Sequence, residues 1–289
     1  ALTKASQEKC TWPQPRLDRS SLELQRQRPH VALDAAVAAA TRSQETTARI
    51  AIAIAKAWEA VSEVADKEPG AISAPPKGLM TLVKEMHAKL PDEEQTLVMY
   101  ISLLCQNQPP QIEQAKTEMR RALANEKKIS EIGLLHLAQV SRTYKLGMTE
   151  DCFARCEKLY GMTSSLAYAE AVAKFGDHDP AAGRKLFQDA KAKYGSKDAL
   201  GWNLSWARYL ELTHDPQAAE TWTSIANANP KNLQVQQMIL QMQSVQSDRD
   251  LIAKTIERLK ALAGHDAVTW KLAQARLTWA GKPTDQDLA

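Results

Sequence analysis

The chain has 289 residues, 44% of them hydrophobic, only 11 glycines, and 37 basic against 34 acidic side chains for a net charge of +3. That balance does not by itself imply a nucleic-acid or membrane partner, no run of about 18 apolar residues encodes a membrane span, and the four cysteines do not make a disulfide framework in a chain this long. Scarce glycine and abundant alanine favour helix over sheet, so a soluble, all-α protein is expected.

Residues 1–29 read as an irregular N-terminal segment. Pro13 and Pro15 break structure, and Arg16, Arg19, Arg26 and Arg28 add charge without an apolar stripe; a solvated lead-in explains them more simply than a phosphate grip. The opening Ala1-Leu2-Thr3-Lys4 is no signal peptide and lacks an initiating Met, which reads as a processed or trimmed chain. Residues 30–91 are expected to form divergent N-terminal helices or a cap. They comprise an Ala-rich helix over Val31–Ala40, a longer one over Glu45–Asp66, a break at Pro69-Gly70 and Pro75-Pro76, and a helix over Lys77–Leu90. From residue 92 to 289 helix, turn and helix recur. The turn markers Pro110, Gly147, His178, His214, Ser247 and Gly281 stand 31 to 37 residues apart. The strongest internal match is His178-Asp179-Pro180, which returns as His214-Asp215-Pro216. In each copy the Asp is a good N-cap and the Pro fits the first helical position, where a missing N–H costs nothing. An internal period of this size marks a helical repeat array.

The second helix of each pair carries Gly183-x3-Phe187-x2-Ala190-x4-Gly195, Ile252-x3-Ile256-x2-Leu259-x4-Gly264, Ala219-x3-Thr223-x2-Ala226 with Pro230 following, and Ala115-x3-Met119-x2-Ala122. First helices carry Trp270-x2-Ala273-Gln274-x2-Leu277 and Trp206-Ala207-x2-Leu210. These patterns resemble the tetratricopeptide repeat family, whose unit places W-x2-L-G-x2-Y on one helix and A-x3-F-x2-A-x4-P on the next. The first-helix Gly of the family is absent in every unit, and half-a-tetratricopeptide or Sel1-like units remain an alternative. In physical terms, small positions let two antiparallel helices approach and the large apolar one fills the gap against the next unit. Cys152-x3-Cys156-x2-Leu159 falls on the same positions, which makes both cysteines small core residues rather than metal ligands. The last unit stops soon after Gly281. An apolar face left open there predicts further repeats, a partner or a second copy packing on it.

No catalytic, cofactor or metal constellation stands out. His178-Asp179, His214-Asp215 and His265-Asp266 sit at predicted turns, where capping explains the Asp better than general-base chemistry does. Trp202, Trp206, Tyr209 and Trp222 fall at helical spacing and read mainly as core. Lys116, Arg120, Arg121, Lys127 and Lys128 read as a solvated basic face.

The resemblance implies a right-handed α-solenoid of antiparallel helix pairs, a TPR-like superhelix, acting as a non-catalytic scaffold or adaptor for a protein or peptide segment. It also implies that first helices line the concave face. By position this assigns partner contacts to Tyr100, Tyr144, Tyr168, Arg208, Glu211, Gln234, Gln237, Gln241, Lys271 and Trp279. Gln234, Gln237 and Gln241 would share one helix face as an amide ladder. The family's carboxylate clamp of paired Lys and Asn is not evident. Two alternatives are an RNA-binding array, which requires a basic groove and a base-reading pair in each unit, and the regulatory region of a larger enzyme.

Overall fold

The computed structural model describes residues 13–43, 47–67, 78–90, 93–125, 129–264 and 268–280, and every regular element among them is helical. His265-Asp266, Lys127, Lys128 and the segment after Ala280 lie outside the described residues. The chain divides into two compact units at Tyr160/Gly161, inside the stretch read from sequence as one array.

In the first unit the helices are α1 (Gln14–Gln25), α2 (Pro29–Ser43), α3 (Ala48–Lys67), α4 (Leu79–Lys89), α5 (Glu94–Gln106), α6 (Ile112–Ala124), α7 (Glu131–Thr143) and α8 (Thr149–Tyr160). Neighbours in sequence pack as pairs, α1 on α2, α5 on α6 and α7 on α8. Helices two apart also touch, α1 with α3, α3 with α5, α5 with α7, and α6 with α8. First helices therefore lie beside first helices. The buried alanines Ala32, Ala36 and Ala39 let α2 lie against both α1 and α3. Ile50 and Ile54 of α3, Ile101 and Leu104 of α5, Leu134 and Leu137 of α7, and Met119 of α6 fill the interior.

Residues 14–25, expected to be irregular, form α1. Its inward stripe is Arg16, Leu17, Ser20 and Glu23, all buried, at spacings of one helix face. Three of the four are polar, so a count of apolar positions does not register it. Glu23 accepts from Arg26 at 3.5 Å, which neutralises part of that polar interior.

The second unit contains α9 (Ser164–Gly176), α10 (Pro180–Tyr194), α11 (Ala199–Leu212), α12 (Ala218–Ala228), α13 (Leu233–Ile239), a 3-10 turn (Gln243–Val245), α14 (Arg249–Ala263) and α15 (Val268–Ala280). Here α9 packs on α10 and α11, α11 on α12, and α14 on α13 and α15. One core gathers Ala167, Ala171, Phe187, Ala190, Trp202 and Tyr209; another forms around Trp222, Ile225, Ile239, Val245 and Ile256. The tryptophans read as core, Trp202 and Trp222, are buried. Trp206 is half-buried and stacks between Phe187 and Tyr209 at 5.4 and 5.8 Å.

Four hairpins turn the same way. Gln27, Lys145, His178 and His214 hold positive φ of 52 to 63°. At each, the N–H of that residue and the next bond back to the preceding helix: His178 N to Phe175 O and Asp179 N to Lys174 O, both at 3.0 Å, and His214 N to Glu211 O and Asp215 N to Leu210 O. This double bond pattern satisfies carbonyls that a helix end would otherwise leave bare. After the first histidine the expectation holds in full: Asp179 Oδ1 accepts from Ala182 N at 2.9 Å and Pro180 begins α10. After the second it does not. Pro216 lies in a turn and α12 begins only at Ala218. Asp215 instead accepts from Gln217 N at 2.9 Å and pairs with Arg184, whose Nη2 also donates to Gln217 Oε1 at 2.6 Å. The link to α10 draws the carboxylate away from a plain cap.

Gly183 marks a close helix approach in the second unit. A Cβ there would lie 2.6 Å from Ala171 O of α9 and 2.7 Å from the Tyr209 hydroxyl, which itself donates to Pro180 O at 2.9 Å. Gly183→Ala is therefore expected to cost about 1–3 kcal/mol by overpacking, measured as a lower denaturant midpoint at unchanged slope; an unaltered midpoint refutes the contact. His178→Val is expected to cost about 1–2 kcal/mol because a β-branched residue resists positive φ, with His178→Asn closer to wild type in the same titration.

Candidate binding groove on the first unit

Helices α3, α5 and α7, neighbours through their shared sides, enclose a cavity of about 310 Å3. Helix α5 supplies its whole length, Gln95, Val98, Met99, Ser102 and Gln106, at steps of three and four, the spacing of one face. From α7 come His136, Gln139, Val140, Thr143 and, at its end, Tyr144; from α3 come Ala55, Lys56 and Trp58. Ile132 continues the α7 stripe one turn before His136 and is 66% exposed, an apolar shelf beside the cavity.

The lining contains no carboxylate and no arginine; its basic side chains are Lys56 and His136. Its hydrogen-bonding capacity is only partly used. The indole N–H of Trp58, a residue 6% exposed, has no partner among the described residues, and neither have Gln95 Oε1 and Gln106 Oε1. Gln106 Nε2 donates to the Tyr144 hydroxyl, and Ser102 Oγ donates to Val98 O at 3.0 Å. Buried polar atoms without partners are uncommon and costly. Three of them lie around this one cavity.

The residues expected to contact a partner divide. Tyr144 lines the groove. Tyr100 does not: it is 4% exposed, its hydroxyl accepts from Gln114 Nε2 at 3.0 Å, and its ring stacks on His87 at 5.5 Å. It sits on the inner side of α5, where the ring fills the core against α4 and α6. In the second unit Tyr168 is half-buried against the Phe187 core, and burial raises its phenol while Arg208 opposes this. Arg208 is exposed and reaches the Met238 sulfur at 3.7 Å. Glu211 is committed internally. Its oxygens accept from Ser244 N at 3.0 Å, Ser244 Oγ, and Trp222 Nε1 at 3.1 Å. The amide ladder is broken: α13 ends at Ile239, so Gln241 lies beyond the helix, with its N–H bonded to Met238 O. Gln234 remains exposed and Gln237 half-buried. Lys271 stands 5.7 Å from the Trp270 ring. Trp279 lies on α15, its side chain outside the described residues.

Sequence reading passed over the groove's central groups, Trp58, Gln95 and Gln106. Trp58 follows a run of alanines and isoleucines and looks like core. The glutamines carry no motif. The available signal was the step from Gln95 to Ser102 to Gln106, a polar stripe on an otherwise apolar helix. Gln236 was also missed. It is buried and donates to Ala226 O and Asn229 O at 3.0 and 2.9 Å, capping α12 together with Arg258, which donates to Ala226 O at 3.0 Å.

Cys152 and Cys156 are both fully buried in α8. Burial, with Asp151 and Cys156 adding to it, pushes the Cys152 thiol up to about 12, so both behave as small core side chains. Among the described residues no cluster of His, Cys, Asp and Glu is arranged to hold a metal, and no helix is long and apolar enough to cross a membrane.

Helix pairs that stack first helix beside first helix make the first unit an all-α array of packed helix pairs. No family model matches the chain, and no curated protein matches it. Among solved structures it is similar to the tetratricopeptide repeat domain of P58(IPK), with 13% identity, 98% of this chain and 84% of that chain covered, and a TM-score of 0.29. The class rests on the helix packing rather than on that likeness.

His87 makes the first unit sensitive to acid. Burial, the largest influence, holds its imidazole below the ordinary value of 6.5; Glu118 opposes this and Arg121 adds to it. Its Nδ1 is buried without a partner. A group whose folded pKa is lowered takes up protons more readily when unfolded, so its contribution is full above the unfolded value and is lost as pH falls through the window beneath it. The melting temperature is expected to drop as pH falls below the unfolded value of 6.5, and His87→Phe to flatten that part of the profile. An equal drop in the variant excludes His87 as its source.

Proposed function

We propose that this protein is a non-catalytic interaction scaffold whose groove on α3, α5 and α7 receives a segment of a partner protein. The observation that carries this is the set of unpartnered hydrogen-bonding groups, Trp58, Gln95 and Gln106, around a cavity that also offers methyl and thioether surface from Ala55, Val98 and Met99. Mixed polar and apolar walls of this kind suit a peptide, which presents both kinds of surface at every residue. The lining residues include no cysteine, serine–histidine pair or paired carboxylates poised for chemistry: Ser102 is bonded within its own helix. Nucleic acid fits less well, because phosphates call for several cations and the groove has Lys56 and His136.

A photo-crosslinking amino acid at Gln139, exposed on the groove side of α7, tests the reading in the cells that make the protein. A covalent adduct to a discrete protein is expected at Gln139 and not at Lys158, exposed on α8. Adducts to RNA, or equal labelling from both positions, refute it.

A further inference from the structure

We infer that the groove on α3, α5 and α7 recognises an uncharged segment in extended conformation, through the main-chain amides of that segment. This rests on the scaffold reading above and specifies the chemistry of the occupant. The Trp58 indole needs an acceptor, and the oxygens of Gln95 and Gln106 need donors. A carboxamide can turn about its last bond, so Gln95 can present either end. Gln106 keeps one end on Tyr144 and has the other left over. A ligand that donates and accepts at neighbouring atoms satisfies these groups in any orientation, and a peptide group does so in every residue.

The conformation follows from the same count. A helical segment has already used its main-chain N–H and C=O groups on itself, so it would bury the three groove groups without answering them, at the cost of leaving them bare. An extended segment keeps its main chain open. The charge follows from the walls. A side-chain carboxylate or phosphate entering the cavity meets Lys56, itself exposed, and His136, with no arginine. An ammonium or guanidinium meets no carboxylate. A cation would be desolvated without a matched partner and an anion would find only the exposed Lys56, so uncharged side chains are favoured. Beside the cavity, the exposed Ile132 offers an apolar seat for one side chain of the segment.

The test is a phage-displayed library of short random peptides selected against the intact protein, with affinities of the recovered peptides measured by fluorescence anisotropy. The expected peptides have an uncharged core. N-methylation of main-chain amides within that core weakens binding to the wild-type protein by about tenfold or more, and a helix-stapled version of the same sequence does not bind. Trp58→Phe, which removes the N–H and keeps a ring, and Gln95→Leu each weaken binding by a similar factor. Circular dichroism melts confirm that both variants fold, and the N-methyl series needs no variant at all. Peptides indifferent to N-methylation, peptides that bind better when stapled, or affinities unchanged in both variants overturn the inference and leave the scaffold reading standing. Recovery of no peptide, with polyuridine binding that falls steeply with salt, overturns both.

Discussion

A single backbone constraint recurs through the molecule. At four hairpins where one helix gives way to the next, one residue is held at positive φ, and two consecutive N–H groups bond back to the helix just ended. The chain thereby reverses within a few residues, and two of the helix-end carbonyls at each corner are satisfied. The reversal brings two helices close enough that side-chain size along their contact becomes decisive. At Gly183 the space beyond Cα is already taken by a carbonyl of α9 and by Tyr209 from the next hairpin. The corner accepts side chains of different chemistry at its apex, Gln27, Lys145 and the two histidines His178 and His214. What they share is position, not function.

Around these corners the polar side chains divide into those that brace and those that are left over. Glu94 receives both the N–H and the hydroxyl of Ser130, joining the start of α5 to the start of α7. Glu211 does the same for Ser244 and adds the indole of Trp222. Gln236 and Arg258 close the end of α12. Each of these groups is spent inside the protein. Against that background the open groups of Trp58, Gln95 and Gln106 stand out because they gather around one cavity. Gln95 directly follows Glu94, so adjacent residues of α5 serve the internal brace and the groove.

Much of the architecture is legible in the amino-acid pattern. The His-Asp-Pro turns, the small residue at Gly183, and the buried pair Cys152 and Cys156 could all be placed, because each records a steric demand that few residue types meet. Helix α1 was not legible, although Gln27-Arg28-Pro29 occupies the same positions at its corner as His178-Asp179-Pro180 does at another. Its inward face is polar, and polarity is ordinarily read as exposure. The groove itself was half legible. Position along a first helix picked out Tyr144, which lines the groove, but also Tyr100, which does not, since a helix of this fold has two covered sides and spacing alone does not say which a given turn faces. The glutamines on α13 failed for a different reason: the helix ends at Ile239, and no capping residue announces the stop.

The thiols of α8 carry one more consequence. Cys152 is sealed from solvent, and its proton is held well beyond neutral pH, so the nucleophilic thiolate forms only when the surrounding helices part. An alkylating reagent added to the native protein thus becomes a clock for breathing of the α7–α8 hairpin. The rate of label uptake at that sulfur counts openings too brief and too rare for spectroscopy to resolve.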